Sequence, residues 1–385
     1  MAKTYTQYKS AFAQLGLIFR LNTLNDSIEC NGVRLTDIGA YTIESKMFDL
    51  GFTSAAGIKR NYARAAGENS YHPIIEWLDS LVWGGQDTFT EFMNHISFQH
   101  PIISNQFFKR FLLGCVGKVR NQDQNFMLVC DGVQGIGKSF LANWLVPDCM
   151  KHYYVEGGLD PEHKDTKLRV ISNFLWEVGE LQGTTRKADL EALKNIITQD
   201  NMTVRKPYGY HDMNKPITCN FVGTVNENGA GFLNDITGNR RFAITKILGI
   251  NWDYTKFNPS DLWAQINTLY QLGERGKLTR QEQTEQTIIN EEYSTLSHVE
   301  QYLLAYYEID LILHSNSWIP VHEIMSELEL QGLSKANQRM NQMELASILS
   351  KLGCHKSRLG STTGHGRSVC YNGLERKPIP IRPIP

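Results

Sequence analysis

Gly132-Val133-Gln134-Gly135-Ile136-Gly137-Lys138-Ser139 fits the spacing G-x-x-x-x-G-K-[ST]. Glycines at these places let the backbone turn so that consecutive N–H groups face one anion. A lysine and a hydroxyl follow at the start of a helix. In such a loop Lys138 reaches the β- and γ-phosphates of a nucleoside triphosphate, and the Ser139 hydroxyl coordinates Mg2+. ATP and Mg2+ are therefore the expected ligands, with Gly132, Val133, Gln134, Gly135, Ile136, Gly137, Lys138, Ser139 and the following Phe140 as the binding set.

NFMLVC (125–130) reads as a buried strand entering the loop and SFLANWLV (139–146) as the helix leaving it. NFLWEV (173–178), ITCNFVGTVN (217–226) and RFAITKI (241–247) read as three further strands, with a helix over 186–199 between the first two. Strands alternating with helices predict βαβ units and a mainly parallel sheet.

Nucleotide hydrolysis on such a loop needs an acidic residue at the end of a neighbouring strand, to organise the metal and polarise the attacking water. Glu177 and Glu180 occupy that place, three residues apart, and either can take either role. A carboxylate at the end of a buried strand is costly without a cation nearby. Asn226 closes the third strand, where its amide can hydrogen-bond the γ-phosphate or the water. Arg240 and Arg241 precede the fourth strand, and one of them can serve as a finger that stabilises phosphate charge across a subunit interface. Residues 203–211 read as a short hairpin carrying Arg205, Lys206, Tyr208 and His211 at its tip. Cations for phosphates with aromatics for bases is the combination a single-strand contact uses.

The remaining chain sets the frame. With 385 residues, 41% apolar and 21% charged, the composition supports two or three globular domains. No apolar run reaches the length of a bilayer span, and MAKTYTQYKS carries no signal-peptide core. Seven scattered cysteines form no Cys-x-x-Cys pair, which suits a reducing cytoplasm. Residues 1–100 read as a mostly helical segment, 101–295 as the α/β core, and 376–385 as an extended Pro-rich tail. Residues 296–375 offer three amphipathic helices and then a basic hairpin, the order of a winged helix-turn-helix. Lys356, Arg358 and Arg367 lie on or beside that hairpin, where a DNA backbone contact would fall. Net charge is −1, but residues 282–329 hold ten acidic residues and no Lys or Arg, whereas 335–385 hold nine Lys/Arg against two Glu. A basic end on a near-neutral chain points to a nucleic-acid contact there.

The order of loop, WEVGEL (176–181), hairpin, GTVN (223–226) and TGNRRF (237–242) resembles the virulence-associated protein E family of phages, prophages and phage-derived islands. That family is similar to the superfamily 3 helicases of the AAA+ class. The resemblance implies an α/β AAA+ P-loop NTPase core, a hexameric ring with ATP at subunit interfaces, and single-stranded or forked DNA in a central channel. It matches the glycine-rich loop to Walker A, Glu177 and Glu180 to the Walker B region, Asn226 to the sensor, and Arg240 or Arg241 to the arginine finger. Residues 205–211 match the pre-sensor hairpin. The expected function is an ATP-dependent DNA helicase replicating a phage or mobile element in the cytoplasm of a bacterial host, with priming, if the system needs it, coming from a separate primase chain. An initiator or loader that melts DNA without processive unwinding is the alternative within the same fold, and a P-loop small-molecule kinase or an ATP-switched DNA-binding regulator are alternatives of other classes.

Overall fold

A computed structural model describes residues 3–159, 163–179, 181, 187–205, 212–226, 233, 239–293, 298–330, 338–359 and 368–377. The chain is mixed α/β and divides after Tyr293 into two units.

At the start of the first unit, helices Tyr5–Gln14, Asp37–Asp49 and Ala55–Glu68 surround a small sheet. Tyr8, Phe12, Phe19, Met47, Ile58 and Tyr62 fill the space between them. The first helix opens with the Gln7 side chain accepting from Thr4 N at 2.8 Å, which satisfies one orphan donor. The four strands run in the order Val33–Arg34, Ser27–Cys30, Phe19–Asn22, Ser70–Tyr71. This sheet is an addition to the mostly helical reading of 1–100. Its strands are two to four residues long, too short to show a period of two, and Asp26 and Asn31 turn between them at φ 52° and 54°.

The large sheet has six strands in the order Ile96–Phe98, Phe242–Ile250, Met127–Gly132, Asn220–Asn226, Leu175–Val178, Tyr154–Glu156. Every neighbouring pair is parallel except the first. The four strands read from the sequence are all in it. Two short edge strands, Ile96–Phe98 and Tyr154–Glu156, join them, and the first lies upstream of residue 101. Continuous apolar runs suit this burial: all six residues of Met127–Gly132 and all four of Leu175–Val178 are buried. Pro101–Asn121 packs on the sheet, and Phe107, Phe108, Phe111, Leu112 and Val116 on it are fully buried. Trp77, Phe174 and Trp263 meet edge to face, and Trp263 Nε1 donates to Leu145 O at 2.6 Å. Asn125 Nδ2 donates to Asn220 Oδ1 at 2.9 Å and to Phe111 O at 3.1 Å, which ties the entries of two central strands to the helix inside the core.

The second unit packs His298–Tyr306, Val321–Leu330 and Gln338–Lys351 around Leu303, Tyr307, Ile324, Leu328, Leu345 and Ile348. Lys356–Leu359, Ser368–Asn372 and Trp318–Pro320 form a three-stranded antiparallel sheet with Ser368–Asn372 in the middle. A separate pair joins Tyr307–Ile309 to Leu374–Arg376. Arg376, placed in the tail by the sequence, is therefore in a strand, and its guanidinium bonds Glu327 at 2.9 Å and Glu323 at 2.8 Å. Residues 378–385 lie outside the described residues. No described helix is long and apolar enough to cross a membrane.

Candidate functional site

The sheet order puts the strand that feeds the glycine-rich loop in the middle of the parallel set, where ligands of open α/β sheets collect at the carboxyl ends of strands. Gly132 stands opposite Asn226 on one side, and Asp131 stands opposite Lys246 on the other. Gly135 has φ 82°, a left-handed conformation that an L side chain rarely adopts. Gly137, at φ 108°, is also closed sterically: an added Cβ would lie 2.8 Å from the Trp252 ring. Helix Lys138–Trp144 begins there, with its first N–H groups directed at the loop. Lys138 is buried and its Nζ donates to Gly132 O at 2.6 Å and Val133 O at 2.9 Å.

Ser139 Oγ donates to Glu177 Oε1 at 3.0 Å, which ties the loop to the acidic strand two places away. Thr224, on the strand between them, donates its hydroxyl to the same oxygen at 2.8 Å. Glu177 is 1% exposed. Burial raises its pKa above the usual 4.5, the two hydroxyl bonds pull it back, and the charge of Glu156 on the edge strand pushes it up again. Among the described residues no Lys, Arg or His pairs with Glu177. A buried carboxylate beside a serine hydroxyl, both oxygen donors and without a protein cation, fits a small hard divalent cation such as Mg2+. Glu177, one of the two glutamates read from the sequence, is brought to Ser139. Glu180 lies outside the described residues.

Asn226 is half-buried at the end of its strand, beside the loop. Asp131 is buried; its Oδ2 accepts from Tyr293 Oη at 2.7 Å, and its Oδ1 has no partner among the described residues. That bond anchors the last residue of the first unit one position before the loop.

Arg240 and Arg241 sit on the short turn Asn239–Arg241. Two buried amides from helix Arg280–Glu292 clamp this turn. Gln286 Nε2 donates to Arg240 O at 3.1 Å and Phe242 O at 2.8 Å, and Asn290 Nδ2 donates to Asn239 O at 2.8 Å and Phe242 O at 2.9 Å. Arg240 is exposed, whereas Arg241 is half-buried and its Nε has no acceptor among the described residues.

The hairpin is present as Asn201–Val204 paired antiparallel with Met213–Pro216. Arg205 is exposed at its upper end. Lys206, Tyr208 and His211 lie outside the described residues. In the second unit Lys356 and Arg358 share one strand two residues apart, both exposed, and Arg367 lies outside the described residues.

Sequence reasoning missed several contributors. Thr224 lies inside GTVN, two residues before Asn226 and so on the same side of the strand. Gln286 and Asn290, four apart on an otherwise polar helix, gave a faint signal of an inward amide face. Glu156 and Trp252 gave none, since each depends on strand pairing or ring packing.

Comparison with known proteins agrees with this frame. No curated protein matches the chain in sequence. Its fold is similar to apo structures of the NrS-1 C-terminal region. An A-form structure of residues 305–718 has a TM-score of 0.53 at 12% identity, covering 97% of this chain and 100% of that one. Another apo structure of the same region gives 0.52 at 11% identity with the same coverage. The virulence-associated protein E-like domain matches residues 78–295, more than half of the chain and the whole of the large sheet and its loop. This chain belongs to the virulence-associated protein E-like domain family.

Proposed function

We propose that the chain is an ATP-dependent DNA helicase of the superfamily 3 type, with an AAA+ P-loop core and a C-terminal winged helix, acting in replication of a phage or mobile element. The observation that carries this reading is the 3.0 Å bond from Ser139 to Glu177, which unites the phosphate loop with a buried acid.

The loop N–H groups and the start of helix Lys138–Trp144 receive the phosphates of ATP. Lys138 exchanges its carbonyl partners for the β- and γ-phosphate oxygens. Ser139 and Glu177 would hold Mg2+, which would supply positive charge at the phosphates. Asn226 orients the γ-phosphate or the attacking water. Water attacks phosphorus as the bond to ADP breaks, and the protein contributes positioning and charge. Arg240, exposed on a clamped turn, is the better placed of the pair to act on a neighbouring subunit's ATP in a hexameric ring. The Arg205–His211 hairpin tracks one strand of forked DNA, and Lys356, Arg358 and Arg367 hold its backbone.

The test is hydrolysis of ATP with and without single-stranded DNA, alongside displacement of one strand of a forked duplex. DNA-stimulated hydrolysis with displacement, both abolished in Lys138→Ala, is the expected result. Stimulated hydrolysis without displacement would point to an initiator or loader, and hydrolysis indifferent to DNA would overturn the helicase reading.

A further inference from the structure

Beside the phosphate loop stands an aromatic surface that the hydrolytic chemistry does not use. Phe140 follows Ser139 directly and is 49% exposed, Trp252 is 48% exposed and Val133 is 50% exposed. The Phe140 and Trp252 rings meet at 5.2 Å and 60°. Trp252 also lies close enough to Gly137 that only glycine fits there.

This surface is held firmly. Trp252 opens the turn Trp252–Lys256 right after strand Phe242–Ile250. Its neighbour Asn251 donates its backbone N–H to His95 O at 2.8 Å and caps Asp253 N through Oδ1 at 3.0 Å. Trp252 stacks near Tyr254 at 6.2 Å and 27°, and Tyr254 is fully buried against Trp144 and Phe92. One half of Trp252 is thus packed on the loop and on Tyr254, and the other half, with the adjoining Phe140 ring, is left to solvent as apolar area beside the loop.

We infer that Trp252 and Phe140 form the stacking platform for the base of the nucleotide, and that the base is recognised by its π-face instead of by hydrogen bonds. The inference rests on the nucleotide reading of the loop. A ligand whose phosphates lie along 132–139 brings its sugar and base past Phe140, the first residue after the loop. The polar side chains of the same turn are already engaged: Asn251 Oδ1 caps the turn, and Asp253 pairs with Lys256 at 2.7 Å. What they leave to the base is aromatic area, which every base can use and purines use more. The platform therefore admits ATP and GTP alike and disfavours pyrimidine nucleotides.

The experiment titrates the full chain with ATP, GTP, UTP and inorganic tripolyphosphate in Mg2+ by calorimetry. In the natural chain ATP and GTP should bind within a few-fold of each other and UTP more weakly. Trp252→Ala should weaken ATP and GTP about ten-fold while leaving tripolyphosphate unchanged. Trp252→Phe should recover most of the loss, and Phe140→Ala should lose part of it. Equal weakening of ATP and tripolyphosphate in Trp252→Ala, or none, would overturn the platform while the nucleotide reading stands. If the natural chain binds neither ATP nor tripolyphosphate, the nucleotide reading itself fails and the platform with it.

Discussion

Thr224 and Ser139 reach the same oxygen of Glu177, at 2.8 Å and 3.0 Å, from a strand and from the helix that follows the loop. The carboxylate is thus aimed by two hydroxyls, one on the loop helix and one on the strand that separates it from the acid. Each bond favours the charged form against the burial that disfavours it.

Thr224→Val keeps the shape and removes one of those bonds. Burial is then less opposed, and the Glu177 pKa rises further. Since the ionised form is the one that can hold a cation, activity is lost as pH falls through that pKa. The acid limb of the ATPase pH profile should move to higher pH, with little change on the alkaline side. An acid limb that stays in place would separate Thr224 from the electrostatics of the site.

Glu177→Gln should lose turnover and gain stability. The folded-state pKa is raised above its ordinary 4.5, so the carboxyl's contribution to stability is fully present below that value and is lost as pH rises through the folded pKa. Glutamine does not titrate. The difference in Tm between Glu177→Gln and the natural chain should therefore grow from pH 4 to pH 8. A gap that shrinks over this range would contradict the buried-acid account. Sites tuned for chemistry at the expense of stability behave in this way.

How much of this was legible beforehand follows from the range of each interaction. The loop, its strand and its helix are one contiguous stretch, and the four central strands are continuous apolar runs, so periodicity and spacing reached them. The edge strand Tyr154–Glu156 is three residues long and is a strand only because it pairs with Leu175–Val178. The strands Phe19–Asn22 and Ser27–Cys30 have only four residues each, and the second is half-exposed throughout. At the site, residue types in a motif were readable. Partners such as Gln286 for the Arg240 carbonyl, 46 positions apart, exist only after folding. The spacing of Glu177 and Glu180 left both roles open; the fold brings Glu177 to the hydroxyls of Ser139 and Thr224, and Glu180 lies outside the described residues.

Arg240 and Arg241 should behave differently, since one projects into solvent from a clamped turn and the other folds inward. Arg240→Ala should lose hydrolysis but recover part of it when mixed with Lys138→Ala subunits, because each variant then supplies what its neighbour lacks. Arg241→Ala should instead lower Tm. The absence of recovery in any mixing ratio would make Arg240 a structural residue too.

The second unit offers a test that needs no truncation. Lys356 and Arg358 are exposed on the same side of strand Lys356–Leu359, and the strand is paired along its length with Ser368–Asn372. Replacing both with alanine removes two cations and leaves the buried residues of the unit intact. If these side chains meet phosphates, forked-DNA affinity should fall. The slope of log K against log salt should also become shallower by about 2, since each phosphate that a cation neutralises adds roughly 0.9 to it. The weakening should be similar for unrelated duplex sequences, because phosphate contacts carry no base information. Basal ATP hydrolysis should be unchanged, since the loop, Glu177 and the arginine turn all lie in the first unit. Anisotropy titrations at three salt concentrations read the slope directly. A double variant with the natural slope would remove this strand from the DNA interface and leave the unit as a protein-docking module.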